Sequence, residues 1–197
     1  GEYEPIISTA DGSSGFWSLY RDPESDHLLI ELPPGSEGQG LLVAFTIARG
    51  TIQAGVQMGD QYLYWTRLRD RILLMHPNIA VLTSGDFESQ QGHERVFTDQ
   101  LVMDLPVLCE GPGGGPVIDG TALFLHGASQ FTGRGARSDL GTIAKAKSFP
   151  GNVELAFDLP LADGRMGRIY YSIRGVPEEG NYEPRLADHR IGYFTTT

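Results

Sequence analysis

The nitrogen and sulfur ligands that this sequence offers to zinc are five histidines and one cysteine. They are His27, His76, His93, His126, His189 and Cys109. A catalytic zinc helix needs two histidines four positions apart with a glutamate after the first, so that both imidazoles reach one metal from the same face. His93 and Glu94 begin this pattern, but Phe97 stands where the second histidine is required. We therefore expect no zinc site in this chain and assign the histidines to surface or hydrogen-bonded positions.

Glycine-rich and acidic motifs do not assemble into another known reaction. Residues 111–115 read GPGGG, but a phosphate-binding loop would need a following Lys-Ser/Thr pair or a strand-loop-helix setting. This segment therefore predicts a structural turn. No serine stands in a Gly-x-Ser-x-Gly elbow. The adjacent Glu178 and Glu179 lie beside proline and glycine, which is typical of a solvated loop.

Aromatic side chains are the remaining candidates for a binding site. Trp17, Tyr62, Tyr64 and Trp65 could line a groove for a sugar or a peptide, together with Tyr20. Aromatic residues on strands more often divide between the core and cross-strand pairs. The second interpretation is the favoured one.

Composition limits the class of protein that can position these residues. The chain has 197 residues, with 15 Lys and Arg against 25 Asp and Glu, and its net charge of -10 disfavours nucleic acid as a partner. No apolar run approaches the roughly 18 residues that a membrane span needs. A single cysteine cannot form an internal disulfide. The 26 glycines and 12 prolines are spread along the chain, as tight turns between short strands require.

Hydrophobic patterning predicts a mainly β fold, with α+β as the alternative. Residues 16–20 and 27–32, and residues 61–68 and 71–75, each predict a hairpin. Residues 41–48 are apolar almost throughout and predict a central strand covered on both faces. Further strands are expected at residues 79–83, 101–107, 116–118, 152–159 and 168–174.

The remaining segments predict loops and short helices. Residues 84–94 are expected to form an exposed loop and residues 127–141 the most mobile loop. Asp119, Gly120 and Thr121 could cap a helix that carries residues 123–125, and a helical turn is expected at residues 143–146. The result is about ten strands and two short helices in one antiparallel, sandwich-like or roll-like domain over residues 1–197.

The last stretch, residues 181–197, becomes strand-forming at Ile191 and remains so through the final threonines. Because a domain rarely ends on an unpaired strand, we expect this chain to be the front part of a longer protein. A strand interrupted there would leave an edge through which the domain could self-associate.

Residues 184–194, PRLADHRIGYF, resemble the signature PRLADPRVGYF of a domain of unknown function. That domain lies N-terminal to the HExxH helix in a family of bacterial zinc-dependent metallopeptidases. The signature residues retained here include Arg185, Leu186, Asp188, Arg190, Gly192, Tyr193 and Phe194. His189 departs from the signature, since the family commonly has proline there. Three other segments are similar in the same order: residues 15–20 with 28–33, residues 43–50, and residues 146–153.

The resemblance implies a non-catalytic accessory domain whose partner is the downstream catalytic domain of the same polypeptide. Zinc would then be held by that downstream domain, with no cofactor in this chain, and the protein would be periplasmic or extracellular. The alternative is an independent β-sandwich module that binds carbohydrate or peptide.

Cys109 permits a more specific hypothesis within this resemblance. In some metallopeptidases a propeptide thiolate fills the open zinc position and keeps the enzyme latent, and thiolate is a strong zinc ligand. Cys109 stands where a predicted strand gives way to the glycine turn. The neighbouring residues do not match the known switch motif, and free cysteines are often buried as small apolar groups. Burial is therefore the competing interpretation.

Overall fold

Strands make up most of the computed structural model, which describes residues 2–10, 12, 15–52, 54–78, 98–132 and 135–176. Twelve strands lie within these residues. They are β1 (Glu4–Pro5), β2 (Ser18–Asp22), β3 (His27–Glu31), β4 (Leu41–Arg49), β5 (Gln57–Leu68), β6 (Arg71–His76), β7 (Gln100–Pro106), β8 (Cys109–Glu110), β9 (Pro116–Asp119), β10 (Thr142–Phe149), β11 (Asn152–Pro160) and β12 (Met166–Gly175).

Two antiparallel sheets pack face to face. The first has the order β1-β2-β3-β9-β8, and the second has the order β10-β11-β12-β4-β5-β6-β7. Apolar side chains from both sheets form one buried cluster between them, as in a β-sandwich. The predicted mainly β, antiparallel, sandwich-like class is confirmed. The predicted strand at residues 79–83, the loop at 84–94 and the C-terminal strand lie outside the described residues.

Strand β4 lies in the middle of the seven-stranded sheet, as predicted. The expectation that both of its faces are covered is wrong. Leu41, Val43, Phe45 and Ile47 are buried, whereas the residues between them are only half-buried. Small or apolar residues at those alternate positions made a one-sided strand look apolar throughout.

Both predicted hairpins form. Strands β2 and β3 pair from Ser18 with Glu31 to Asp22 with His27. Strands β5 and β6 are joined by two residues, of which Arg69 has a φ of 58°. This left-handed conformation is the one that a two-residue hairpin turn demands, so Arg69 takes a position where glycine or asparagine is usual.

Strand β7 is an edge strand, but its apolar residues do not share one face as predicted. The pairing with β6 shifts register between Leu74 and Met75. Such an irregularity interrupts the period of two. Leu105 is therefore buried, while Leu101 is 49% exposed.

The predicted helix after β9 is confirmed, and Asp119 helps to begin it. Its Oδ1 atom accepts a 2.8 Å hydrogen bond from the Ala122 N–H. The turn that follows, Ala122–His126, is π-helical and buries residues 123–125. Phe124 lies with its ring centroid 5.2 Å from that of Tyr171 on the opposite sheet. The helix thus fills the core from one side.

Two further segments in this region contain regular structure that was not expected. The predicted mobile loop at residues 127–141 contains the short helix α1 (Ala128–Thr132) and a 3₁₀ turn (Ser138–Leu140). Residues 143–146, expected to be helical, belong to strand β10. The pairing of β10 with β11 shifts register between Ile143 and Lys145, so the strand lacks the alternation by which it could be recognised.

Candidate functional site

A buried carboxylate lies at the end of β3. Glu31 is only 2% exposed. Its Oε2 accepts a 2.7 Å hydrogen bond from the Tyr20 hydroxyl, and its Oε1 accepts a 3.2 Å bond from the Gly115 N–H. Because a buried carboxylate needs hydrogen-bond donors to offset its lost hydration, these two contacts are required by the fold.

The glycine loop at residues 111–115 wraps this carboxylate. A Cβ atom on Gly111 would lie 2.2 Å from Glu31 Cδ, and one on Gly115 would lie 1.8 Å from the Leu32 carbonyl oxygen. The loop is closed by a 2.8 Å hydrogen bond from the Gly111 N–H to the Gly115 carbonyl. The carboxylate thus lies against the loop where a phosphate would have to bind, so the predicted structural turn is the better interpretation.

Sequence reasoning missed Glu31 as a partner of this loop. The available signal was a single carboxylate within the otherwise apolar run of residues 28–33, LLIELP. Burial also raises the pKa of Tyr20 to about 12, and the hydrogen bond to Glu31 adds to this effect. The Tyr20 hydroxyl therefore remains a donor at neutral pH.

Cys109 lies on the neighbouring edge strand β8 and is exposed. Its backbone pairs with Val117 of β9. The competing interpretation of a buried apolar thiol is therefore wrong. Within the described ranges, no group of three or more His, Cys, Asp or Glu residues is placed to hold a metal ion.

His27 forms a hydrogen-bonded chain with Tyr3 and Asp119. The Tyr3 hydroxyl lies 2.6 Å from Nδ1, and the Asp119 Oδ2 lies 3.0 Å from Nε2. Burial raises the pKa of Tyr3, and the nearby charges of Asp22 and Asp119 raise it further. A raised pKa keeps the phenol protonated and unsuited to act as a nucleophile. The hydrogen bonds of Tyr3, His27 and Asp119 therefore have a structural role, which is to hold residue 3 against the first sheet. His93 and His189 lie outside the described residues.

The candidate aromatic residues do not line one groove, and their positions fit the favoured interpretation, in which they divide between the core and cross-strand pairs. Trp17 and Trp65 are each 4% exposed and belong to the core cluster. Tyr62 and Tyr64 are half-buried, on the opposite face of β5 from Trp65. Successive residues of a strand point to opposite faces, so residues 64 and 65 cannot line one groove. The Asp99 hydrogen bond, 2.6 Å long, raises the pKa of Tyr64 to about 12.

Tyr62 and Tyr64 instead belong to a surface that we call the outer tyrosine face. Leu42 pairs with Tyr62 across β4 and β5, and Tyr64 pairs with Met75 across β5 and β6. Met75 in turn pairs with Leu101 at the sheet edge. Partly exposed apolar and aromatic side chains therefore continue across four strands, which is the composition of a protein-binding surface.

The described residues therefore define a β-sandwich with an aromatic outer face. The side chains of Glu31 and His27 form hydrogen bonds that hold the fold together. A family model described as a domain of unknown function (DUF5117) matches residues 55–197, and the chain belongs to that family. Comparison with curated proteins and with solved structures found no match. The signature positions between Arg185 and Phe194 fall inside the matched range but outside the described residues. No helix in the described part of the chain has the length and apolarity to cross a membrane.

Proposed function

We propose that this chain is a non-catalytic N-terminal accessory domain of a bacterial zinc-dependent metallopeptidase-like protein. The catalytic zinc ion and its HExxH helix belong to a downstream domain of the same polypeptide. This chain contributes no catalytic residue. The protein acts in the periplasm or outside the cell.

The observation that carries this proposal is the resemblance of residues 184–194 to the signature found before such catalytic domains. This motif lies within the range that the family model matches. The outer tyrosine face adds a physical reason, since it offers apolar and aromatic area to a second domain. We place the contact with the catalytic domain on this face.

The first test is the sequence that follows codon 197 in the native gene. An open reading frame that reaches an HExxH motif is the expected result. A native stop codon directly after Thr197 would contradict the proposal.

The second test concerns the contact surface. The downstream domain, expressed alone, should bind residues 1–197, and Tyr64→Asp should weaken that binding about tenfold or more, as measured by calorimetry. Lys147→Asp is the matched control, because Lys147 is exposed on β10, at the other end of the same sheet. Equal loss of binding in both variants would remove the outer tyrosine face as the contact.

The exposure of Cys109 makes the latency hypothesis testable. If its thiolate occupies the zinc position in the resting protein, Cys109→Ser should raise the peptidase activity of the full-length protein. The serine variant should be folded normally, since Cys109 is exposed. Unchanged activity would restrict the accessory role to packing and substrate access.

The alternative of a carbohydrate- or peptide-binding module has lost part of its support, because Trp17 and Trp65 are buried. An array of glycans and peptides probed with residues 1–197 decides between the two functions. Selective binding that Tyr62→Ala and Tyr64→Ala abolish would favour the module over the accessory domain.

A further inference from the structure

One end of the sandwich exposes an apolar side chain beside an apolar pocket. The loop between β4 and β5 has glycines with positive φ near both ends, Gly50 at 98° and Gly55 at 88°. Hydrogen bonds from Gly55 N–H to the Ile47 carbonyl, 3.1 Å, and from Ala54 N–H to the Thr51 carbonyl, 3.2 Å, hold the loop. Between them, Ile52 projects at 101% of its reference exposure. An aliphatic side chain held so completely in water is a candidate contact residue.

The pocket beside this loop has a volume of about 160 Å³ and is lined by Ile47, Ala136, Leu161, Ala162 and Ile169. Thr51, next to Ile52, and the carboxylate-bearing Asp163 also line it. A dry apolar cavity of about 150 Å³ accommodates a group the size of benzene. The space is therefore sufficient for one isoleucine side chain.

Two more apolar residues flank the loop. Val56 and Met166 are 58% and 55% exposed, at the starts of β5 and β12. Ion pairs near the pocket join four arginines to three aspartates. They are Arg49, Arg137, Arg165 and Arg168, with Asp139, Asp158 and Asp163. Although the whole chain carries -10, two copies could therefore approach through this end without strong repulsion.

We infer that this end is a self-association surface, in which Ile52 of each copy enters the pocket of the other. A two-fold interface requires a patch that is complementary to itself, and a projecting side chain next to a matching hole satisfies that requirement. The contact between Ile52 and the pocket therefore occurs two times in the dimer, once in each direction. The occupant of the pocket is thus a second copy of this chain.

Sedimentation equilibrium of residues 1–197, from low to high micromolar concentration and with reductant present, tests this inference. We expect reversible dimers. Ile52→Asp should raise the dimer dissociation constant about tenfold or more, because it removes the projecting group and adds a buried charge. Ala136→Phe, which fills the pocket, should do the same. Ile7→Asp is the control, since Ile7 is an exposed isoleucine near Ser148 at the opposite end of the sandwich, and should leave dimerisation unchanged.

Mixing the two interface variants gives the sharpest result. Ile52→Asp retains an open pocket and Ala136→Phe retains its Ile52, so only the mixed dimer has one intact contact. Dyes attached through the exposed Cys109 should report energy transfer in the mixture that exceeds that of either variant alone. A wild-type chain that is monomeric at every concentration overturns the inference, as does a mixture that associates no better than its components.

Discussion

Gly115 gives the most direct test of how the glycine loop holds Glu31. Replacing it with alanine would place a Cβ 1.8 Å from the carbonyl oxygen of Leu32. That oxygen cannot retreat easily, because the Leu32 N–H is bonded to the Pro116 carbonyl at 3.1 Å and Leu32 follows strand β3 directly. The loop must therefore move, and it carries the Gly115 N–H away from Glu31.

The size of the effect follows from what this movement breaks. The Gly115 N–H donates to a buried carboxylate, and such a hydrogen bond contributes about 1.5–3 kcal/mol. Forcing an extra carbon into a packed region costs about 1–3 kcal/mol more. We expect Gly115→Ala to lower the free energy of unfolding by about 3–5 kcal/mol, a large share of the roughly 5–15 kcal/mol typical of a domain.

Gly114→Ala is the matched control, one residue away in the same loop. Gly114 has a φ of 81°, and a Cβ there would meet no heavy atom within 4 Å. Its substitution should lower the free energy of unfolding by about 1–2 kcal/mol, because alanine would have to adopt the left-handed backbone conformation. The two glycines lie in the same loop, and they differ in whether an added Cβ would collide with a neighbouring atom.

Urea denaturation followed by tryptophan fluorescence measures both variants. The sequence has 2 tryptophans, Trp17 and Trp65, and both are buried. With a slope of about 2 kcal/mol per molar urea, the Gly115→Ala midpoint should fall by about 1.5–2.5 M and the Gly114→Ala midpoint by less than about 1 M. Equal midpoints in the two variants would refute the assigned role of the loop.

The ionisable groups predict losses of stability at both pH extremes. Burial and the Asp99 hydrogen bond raise the pKa values of Tyr20 and Tyr64, respectively, from 10.0 to about 12. Their contribution to the free energy of unfolding is therefore complete below pH 10 and is lost as pH rises through about 12. In denaturation curves measured against pH, Tyr20→Phe should lose less stability at alkaline pH than the unmodified chain does. The Arg168 guanidinium lowers the pKa of Asp158 below 3.8, so its contribution is present above that pH and lost on acidification. Asp158→Asn should cost about 1–2 kcal/mol at neutral pH and flatten the acid limb of melting temperature against pH; an unchanged limb would contradict this assignment.

The sequence predicted best those strands whose two faces differ. In β11, the buried residues Val153, Leu155, Phe157 and Leu159 occupy every second position, so the period of two could be recognised in the sequence. Prediction failed in β7 and β10, whose ladders shift register within the apolar pattern, because one extra residue reverses every later side chain. Local patterns cannot show such a shift, which depends on the neighbouring strand.

Candidate residues were harder to place than strands, because their roles depend on distant partners. The glycine loop was recognised as a turn, yet Glu31, which it encloses, lies 84 positions from its partner Gly115. Trp65 and Tyr64 are adjacent in sequence but occupy opposite faces of β5. Residue type indicated which side chains could act, and only the pairing of strands determined which could act together.

The polar side chains in and near the core have a common use that bears on function. Glu31, Thr121, Ser148 and the half-buried Asp26 each accept a hydrogen bond from a backbone N–H of another segment. The donors are Gly115, Leu28, Trp17 and Ile143, in that order, at 3.2, 2.8, 3.1 and 2.7 Å. The bonds of Ser148 and Asp26 join strand β10 of the second sheet to the first sheet.

Groups tied in this way are not free to exchange protons or bind ligands, because each one satisfies a backbone donor that would otherwise be orphaned. Their substitution should therefore appear as lost stability. A change at Ile52 should instead alter association while leaving the unfolding midpoint nearly unchanged, since that side chain is exposed. Interior polar groups that are fixed by hydrogen bonds and apolar groups that are exposed at the surface are the features that the proposed accessory role requires.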